Sequence, residues 1–136
     1  MSIELSRVHA LRRGWVSALA VGPLHKAGLE YLDTTVGEVW ITRERLLHID
    51  NQHDGLSDFE IISMSFGLMN GLFVADDRRP NCLIISYVLP NQSRRYKIAI
   101  KSARNGTELW VSTFHRTRPR QTKTLLTRGR VVKPHS

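Results

Sequence analysis

The feature that most constrains this fold is a change of hydrophobic period near residue 71, just after a strongly signalled helix start. Ser57-Asp58-Phe59-Glu60 has the capping-box pattern, in which a Ser hydroxyl and a Glu carboxylate reciprocally satisfy backbone N–H groups. Phe59, Ile62, Phe66 and Met69 then recur at helical spacing, with Ile61, Ser65 and Leu68 alongside, and Asn70-Gly71 supplies the stop. The expected helix belongs to the core. Beyond it, Leu72 to Ala75, Cys82 to Leu89, Arg94 to Lys101 and Glu108 to His115 read as strands. Short turn-rich links join them, so neighbours run antiparallel.

Cys82 to Leu89 is apolar on both faces, as a central strand should be. Arg94 to Lys101 alternates, with Ile98 and Ile100 on one side and Arg95, Lys97, Ala99 and Lys101 on the other. On the last strand, strict alternation groups Trp110, Ser112, Phe114 and Arg116 on one side and Val111, Thr113 and His115 on the other. One sheet face packs on the helix opened by Ser57, which leaves the other for a ligand. The first third reads as helical. Leu5, Val8, Leu11, Trp15 and Leu19 keep helical spacing up to Gly22-Pro23, and a second helix is expected from His25 to Leu32. Glu38 to Ile41 suits a short strand, after which Thr42 caps a helical turn through Leu47. The expectation is an α+β domain: N-terminal helices, then an antiparallel sheet of four or more strands.

A length of 136 residues with 41% apolar content suits a single domain spanning 1–136. Within it, 1–35 reads as a helical region, 36–123 as the core and 124–136 as a basic tail. The 20 Lys and Arg against 12 Asp and Glu give a net charge of +8 and favour a polyanionic partner, nucleic acid foremost. From Arg116 onward there are seven basic residues and no acid. A solvated terminus has the same composition. Cys82 is the only cysteine, which excludes an intrachain disulfide and a thiolate-rich metal site. No apolar run reaches the roughly 18 residues of a membrane span. The segment Trp15 to Leu24 faintly resembles a signal-peptide core, but Glu4 precedes it and no clear small-residue cleavage site follows. A cytoplasmic protein, or a toxin domain delivered by a carrier, fits this composition.

Two histidines, His48 and His53, stand just before the capping box. On one continuous helix their rings would diverge by about 140°. They converge only if the turn formers Asp50-Asn51 end the helix between them. Histidine is the usual general acid–base at neutral pH, although a lone histidine is more often a surface or satisfied core residue. The alternating basic side chains Arg95, Lys97 and Lys101 form a second candidate, a face across which a phosphate backbone could lie, with Ser112 or Thr113 and Arg116 nearby. Its bland reading is a face made basic for solubility.

The order of Val39-Trp40-Ile41-Thr42, Arg43-Glu44-Arg45-Leu46-Leu47-His48-Ile49, a second histidine, a helix, and a sheet ending in Ser112-Thr113-Phe114 resembles phage-associated nucleases of the barnase/EndoU/colicin/RelE-like superfamily. The resemblance covers roughly Glu38 to Lys123. It implies a ribonuclease needing neither metal nor cofactor, often deployed as a toxin, that drives the RNA 2′-OH onto phosphorus and leaves a 2′,3′-cyclic phosphate. Carried across, His48 and His53 match the histidine pair, Ser112 and Thr113 the polar pair, and Arg116 the basic position after it. Arg118, Arg120 and Lys123 join Arg95, Lys97 and Lys101 as RNA contacts. His115, Tyr96 and Lys97 also stand within reach, so the choice of base stays open. RNA, tRNA among the candidates, is the expected partner, with an immunity protein or antitoxin.

The chemistry suits these residue types. One group must take the 2′-OH proton and another must protonate the departing 5′-oxygen. A fixed Arg116 and a Thr113 hydroxyl would stabilise charge on the non-bridging oxygens, an interaction worth about 3 to 4 kcal/mol per donor. Two alternatives belong to other classes: a non-catalytic basic RNA- or DNA-binding module, and a metal-dependent nuclease using His48, His53 and Asp50 or Asp54.

Overall fold

A computed structural model describes residues 4–52, 56–76 and 78–135 of the chain. Helix α1 (Leu5–Arg13) buries Val8 and Leu11 and ends at Gly14, whose φ of 78° suits glycine. Gly14 and Trp15 donate to the carbonyls of Leu11 and Ala10, which closes a Schellman cap. The helix therefore ends at Arg13, short of both Trp15 and Leu19, to which the helical spacing extends. Ala18–Pro23 is instead an edge strand, β1, with Leu19 and Val21 inward and Ala18 and Ala20 less buried. This corrects the all-helical reading of 1–35: a spacing of four residues cannot separate a helical stripe from a strand's period of two when only one apolar residue follows the stop.

Helix α2 (Lys26–Leu32), strand β2 (Glu38–Thr42) and helix α3 (Arg43–Gln52) follow. The expected long helix is two, α4 (Asp58–Ile62) and α5 (Met64–Asn70), meeting at Ser63. The capping box is present: Ser57 N–H donates to Glu60 Oε1 (3.0 Å) and Glu60 N–H to Ser57 Oγ (3.2 Å). The buried stripe is Ile61, Met64 and Leu68 rather than the one led by Phe59, which is 76% exposed.

Strands β3 (Leu72–Ala75), β4 (Cys82–Val88), β5 (Arg95–Ala103) and β6 (Glu108–Thr117) lie close to the spans read from the sequence. The basic tail is ordered as helix α6 (Pro119–Arg128) and strand β7 (Arg130–Lys133). Pro119 opens that helix, and Gln121 Oε1 accepts from the Arg118 N–H (2.9 Å), a cap that needs no acid. The sheet has seven strands in the order β1-β2-β6-β5-β4-β3-β7. The contact of β2 with β6 is parallel, through Trp40 and Trp110, and the other pairings are antiparallel. The architecture is thus α+β with a mixed sheet, larger than the four-stranded antiparallel minimum.

Helices α1 to α5 share one face of the sheet. There Tyr87, Tyr96 and Phe114 from neighbouring strands stack at 5.2 and 5.7 Å between centroids, and Ser63 Oγ meets the Tyr87 hydroxyl at 2.7 Å. The close approach of α5 requires Gly67, since a Cβ there would stand 2.4 Å from the Tyr87 ring. Arg12 on α1 ties the layer together by pairing with Asp50 of α3 and Asp58 of α4, and His9 also reaches Asp58 (2.9 Å). Helix α6 crosses to the opposite face at the β3–β4 end, where Thr122 meets Ser86 (3.3 Å). Among the described residues no helix is long and apolar enough to cross a membrane.

Candidate functional site

The side chains of β5 and β6 divide between the two faces according to a bulge. Ala99 stands opposite Thr113, but Ile100 stands opposite Val111, so Ser112 is the extra residue on β6. Its hydroxyl donates to the Ala99 carbonyl (3.1 Å), which occupies the backbone acceptor beside the break. Strict alternation therefore fails between Trp110 and Thr113. Leu109, Val111, Phe114 and Arg116 face the helices, whereas Trp110, Thr113, His115 and Thr117 face away. The grouping of Trp110 with Phe114 and Arg116 is corrected, because one inserted residue reverses every side chain beyond it.

The outward face, where α6 does not cover it, is cationic. Lys97 lies directly across from His115, Lys101 from Trp110 and Arg95 from Thr117, with Thr113 beside them opposite Ala99. Helix α6 brings Arg120 and Lys123 to a groove of about 630 Å³ that Arg95 also lines, and Arg118 stands exposed at its N-terminus. A second groove of about 650 Å³ runs between Lys97, Ile84 and Leu125. His115 Nδ1 lies 2.8 Å from the Arg116 carbonyl. A carbonyl can only accept, so Nδ1 carries the proton, and in the neutral ring Nε2 is the basic nitrogen.

On the helix face Arg116 forks onto Glu60, with Nε to Oε2 at 2.7 Å and Nη2 to Oε1 at 2.6 Å. The Tyr96 hydroxyl donates to Oε2 (2.9 Å), and Arg94 lies 3.7 Å from it. Hydrogen bonding by Arg116, with help from Ser57 and Tyr96, overcomes the cost of burial and holds the Glu60 carboxyl at about 2. Glu60 is thus a fixed anion, too weakly basic to take a proton near neutrality. Burial and the same carboxylate push the Tyr96 phenol up.

The sequence candidates accordingly separate. His48 is exposed on α3, whose Leu46 and Ile49 are buried in the helix layer. Thr113 and His115 face the other side of the sheet. Arg116 shares the helix face but is bound to Glu60, and Ser112 is bound to backbone. His53 and Asp54 lie outside the described residues, and Asp50 is paired with Arg12. The face brings together Arg95, Lys97, Lys101 and Thr113 from the original set and adds His115. The sequence pattern gives Glu60 a capping role alone. Its second role depends on a partner 56 residues away, for which no local signal exists. Comparisons with protein-family models, curated proteins and solved structures find no match to this chain.

Proposed function

We propose that the chain is a metal-independent endoribonuclease acting on cytoplasmic RNA, with its reaction centre on the outward sheet face at Lys97, Thr113 and His115. The observation that carries this reading is the direct cross-strand pairing of Lys97 with His115 on a cationic surface. His115 Nε2 takes the proton of the 2′-OH, whose oxygen bonds to phosphorus as the P–O5′ bond breaks. The Lys97 ammonium protonates the departing 5′-oxygen, and solvent then returns the proton from imidazolium to amine. Thr113 donates to a non-bridging oxygen. The products are a 2′,3′-cyclic phosphate and a 5′-OH, and DNA is inert for want of the nucleophile. As a toxin, such an enzyme would need a neutralising immunity protein or antitoxin.

End-group analysis of total RNA treated with the purified protein in chelator tests this. Cyclic phosphate ends are expected, with activity reduced about 100-fold or more in His115→Ala. Full activity in both His115→Ala and Lys97→Ala, with the fold intact, would refute the assignment. Loss in His48→Ala and His53→Ala instead would move the reaction to the histidine pair read from the sequence. A binding-only reading has its own support, since Ser112 and Arg116 are already engaged within the protein. It predicts salt-sensitive binding of RNA and DNA alike, without product.

A further inference from the structure

The three tryptophans of this chain all lie at the surface, where a core would have used them first. Trp15 is 71% exposed and Trp40 39%, and Trp110 is half-buried. Trp40 and Trp110 stand in register on neighbouring parallel strands, on the same outward face as Lys97, Thr113 and His115. Trp110 also pairs across the sheet with Lys101. Its indole N–H donates to Glu108 Oε1 (3.0 Å), which satisfies the ring's polar edge and fixes its orientation. Trp110 lines two grooves: one of about 480 Å³ with Glu38, Trp40 and Glu108, the other of about 780 Å³ with Trp15, Thr42 and Glu44. Beyond it the Arg13 guanidinium lies 5.3 Å from the Trp15 ring centre.

We propose that Trp40 and Trp110 form a base-stacking subsite for single-stranded RNA, continuous with the cationic strip. This deepens the nucleic-acid reading of that face and rests on it. Charge separates two regions of the surface. The basic strip is Arg95, Lys97 and Lys101, spaced along β5 by about 7 and 13 Å. Around the tryptophans Glu38, Glu44 and Glu108, the last paired with Arg104 (3.2 Å), mix with Arg13, Arg43 and Lys101, whereas the strip carries positive charge alone. A strand lying across both would run its backbone over the lysines and turn its bases onto the indoles, a geometry that paired bases cannot adopt. Stacking tolerates any base because each has a π face, so the subsite selects for single strands more than for sequence.

An uncleavable probe separates this proposal from the catalytic one. A 2′-O-methyl 12-mer lacks the nucleophile, so its binding survives even if the protein cleaves nothing. Tryptophan fluorescence should be quenched by the single strand and much less by the same 12-mer annealed to its complement. Trp40→Leu and Trp110→Leu should each weaken single-strand binding about tenfold or more. An abasic strand of equal charge should bind these variants as it binds the parent protein. Trp110→Phe, which keeps a ring, should recover part of the loss, and thermal unfolding of each variant confirms that it is folded. Equal binding of abasic and base-bearing strands, equal binding of duplex, or unchanged affinity in folded Leu variants would overturn the proposal. Loss of self-association in those variants with oligonucleotide binding unchanged would also overturn it, and would give the surface to a second copy of the chain.

Discussion

Replacing Glu60 by Gln should make the protein's stability much less dependent on acid, and the size of the effect follows from the pairing with Arg116. The folded-state pKa of Glu60 is held at about 2 from an ordinary 4.5, so the carboxylate contributes roughly 3 kcal/mol above pH 5. The sign is that of a depressed acid: the contribution is full above 4.5 and fades as pH falls towards 2. At pH 3 about 1 to 2 kcal/mol remains. Arg116 keeps 40% of its side chain exposed and recovers water when its partner is lost, so the Gln variant should lose about 2 to 3 kcal/mol at pH 7 rather than the full cost of a wholly buried orphan. Urea unfolding of the parent and Glu60→Gln at pH 7 and pH 3 measures the gap at each pH. It should narrow to about half or less at the lower value. An equal gap at both would show that Glu60 acts only as a helix cap, a neutral role that Gln can partly fill, and would refute the ion-pair account.

Gly67→Ala would drive a methyl to within 2.4 Å of Tyr87 and disturb the stacked Tyr87, Tyr96 and Phe114 rings. A loss of about 1 to 3 kcal/mol in urea unfolding is expected, and an unchanged midpoint would mean that α5 can shift freely. If phosphates cross the outward face, removing Lys97 or Lys101 should each lower the slope of log affinity against log salt by about 0.7 for a single-stranded oligonucleotide. Removing Arg45 on α3, in the helix layer, should leave that slope alone, and an equal effect from all three would place the strand elsewhere.

Much of the sheet was legible because its signals are local. Ile98 and Ile100 alternate with Lys97, Ala99 and Lys101, and β5 carries that alternation through to the two faces unchanged. The capping box of Ser57 and Glu60 is likewise a four-residue pattern, and it forms as read. What could not be read depends on partners distant in sequence or on a single inserted residue. The α1 helix stops at Gly14, while the apolar spacing continues past it. The tail's composition suits a disordered arm, yet Val131 pairs with Val74 of β3, and Gly129 lets the chain pass where a Cβ would meet Val74 at 2.3 Å. The site suffered most from the bulge. Ser112 carries the same hydroxyl as a catalytic serine would, and nothing in Val111-Ser112-Thr113 distinguishes a residue inserted in the ladder from one paired within it. That one residue puts Trp110 on the same side as Thr113 and His115, opposite to Arg116. His115, an alternative base by sequence, thereby joins the lysine strip, and Trp110, grouped by strict alternation with Phe114 and Arg116, stands instead on the outward face beside it.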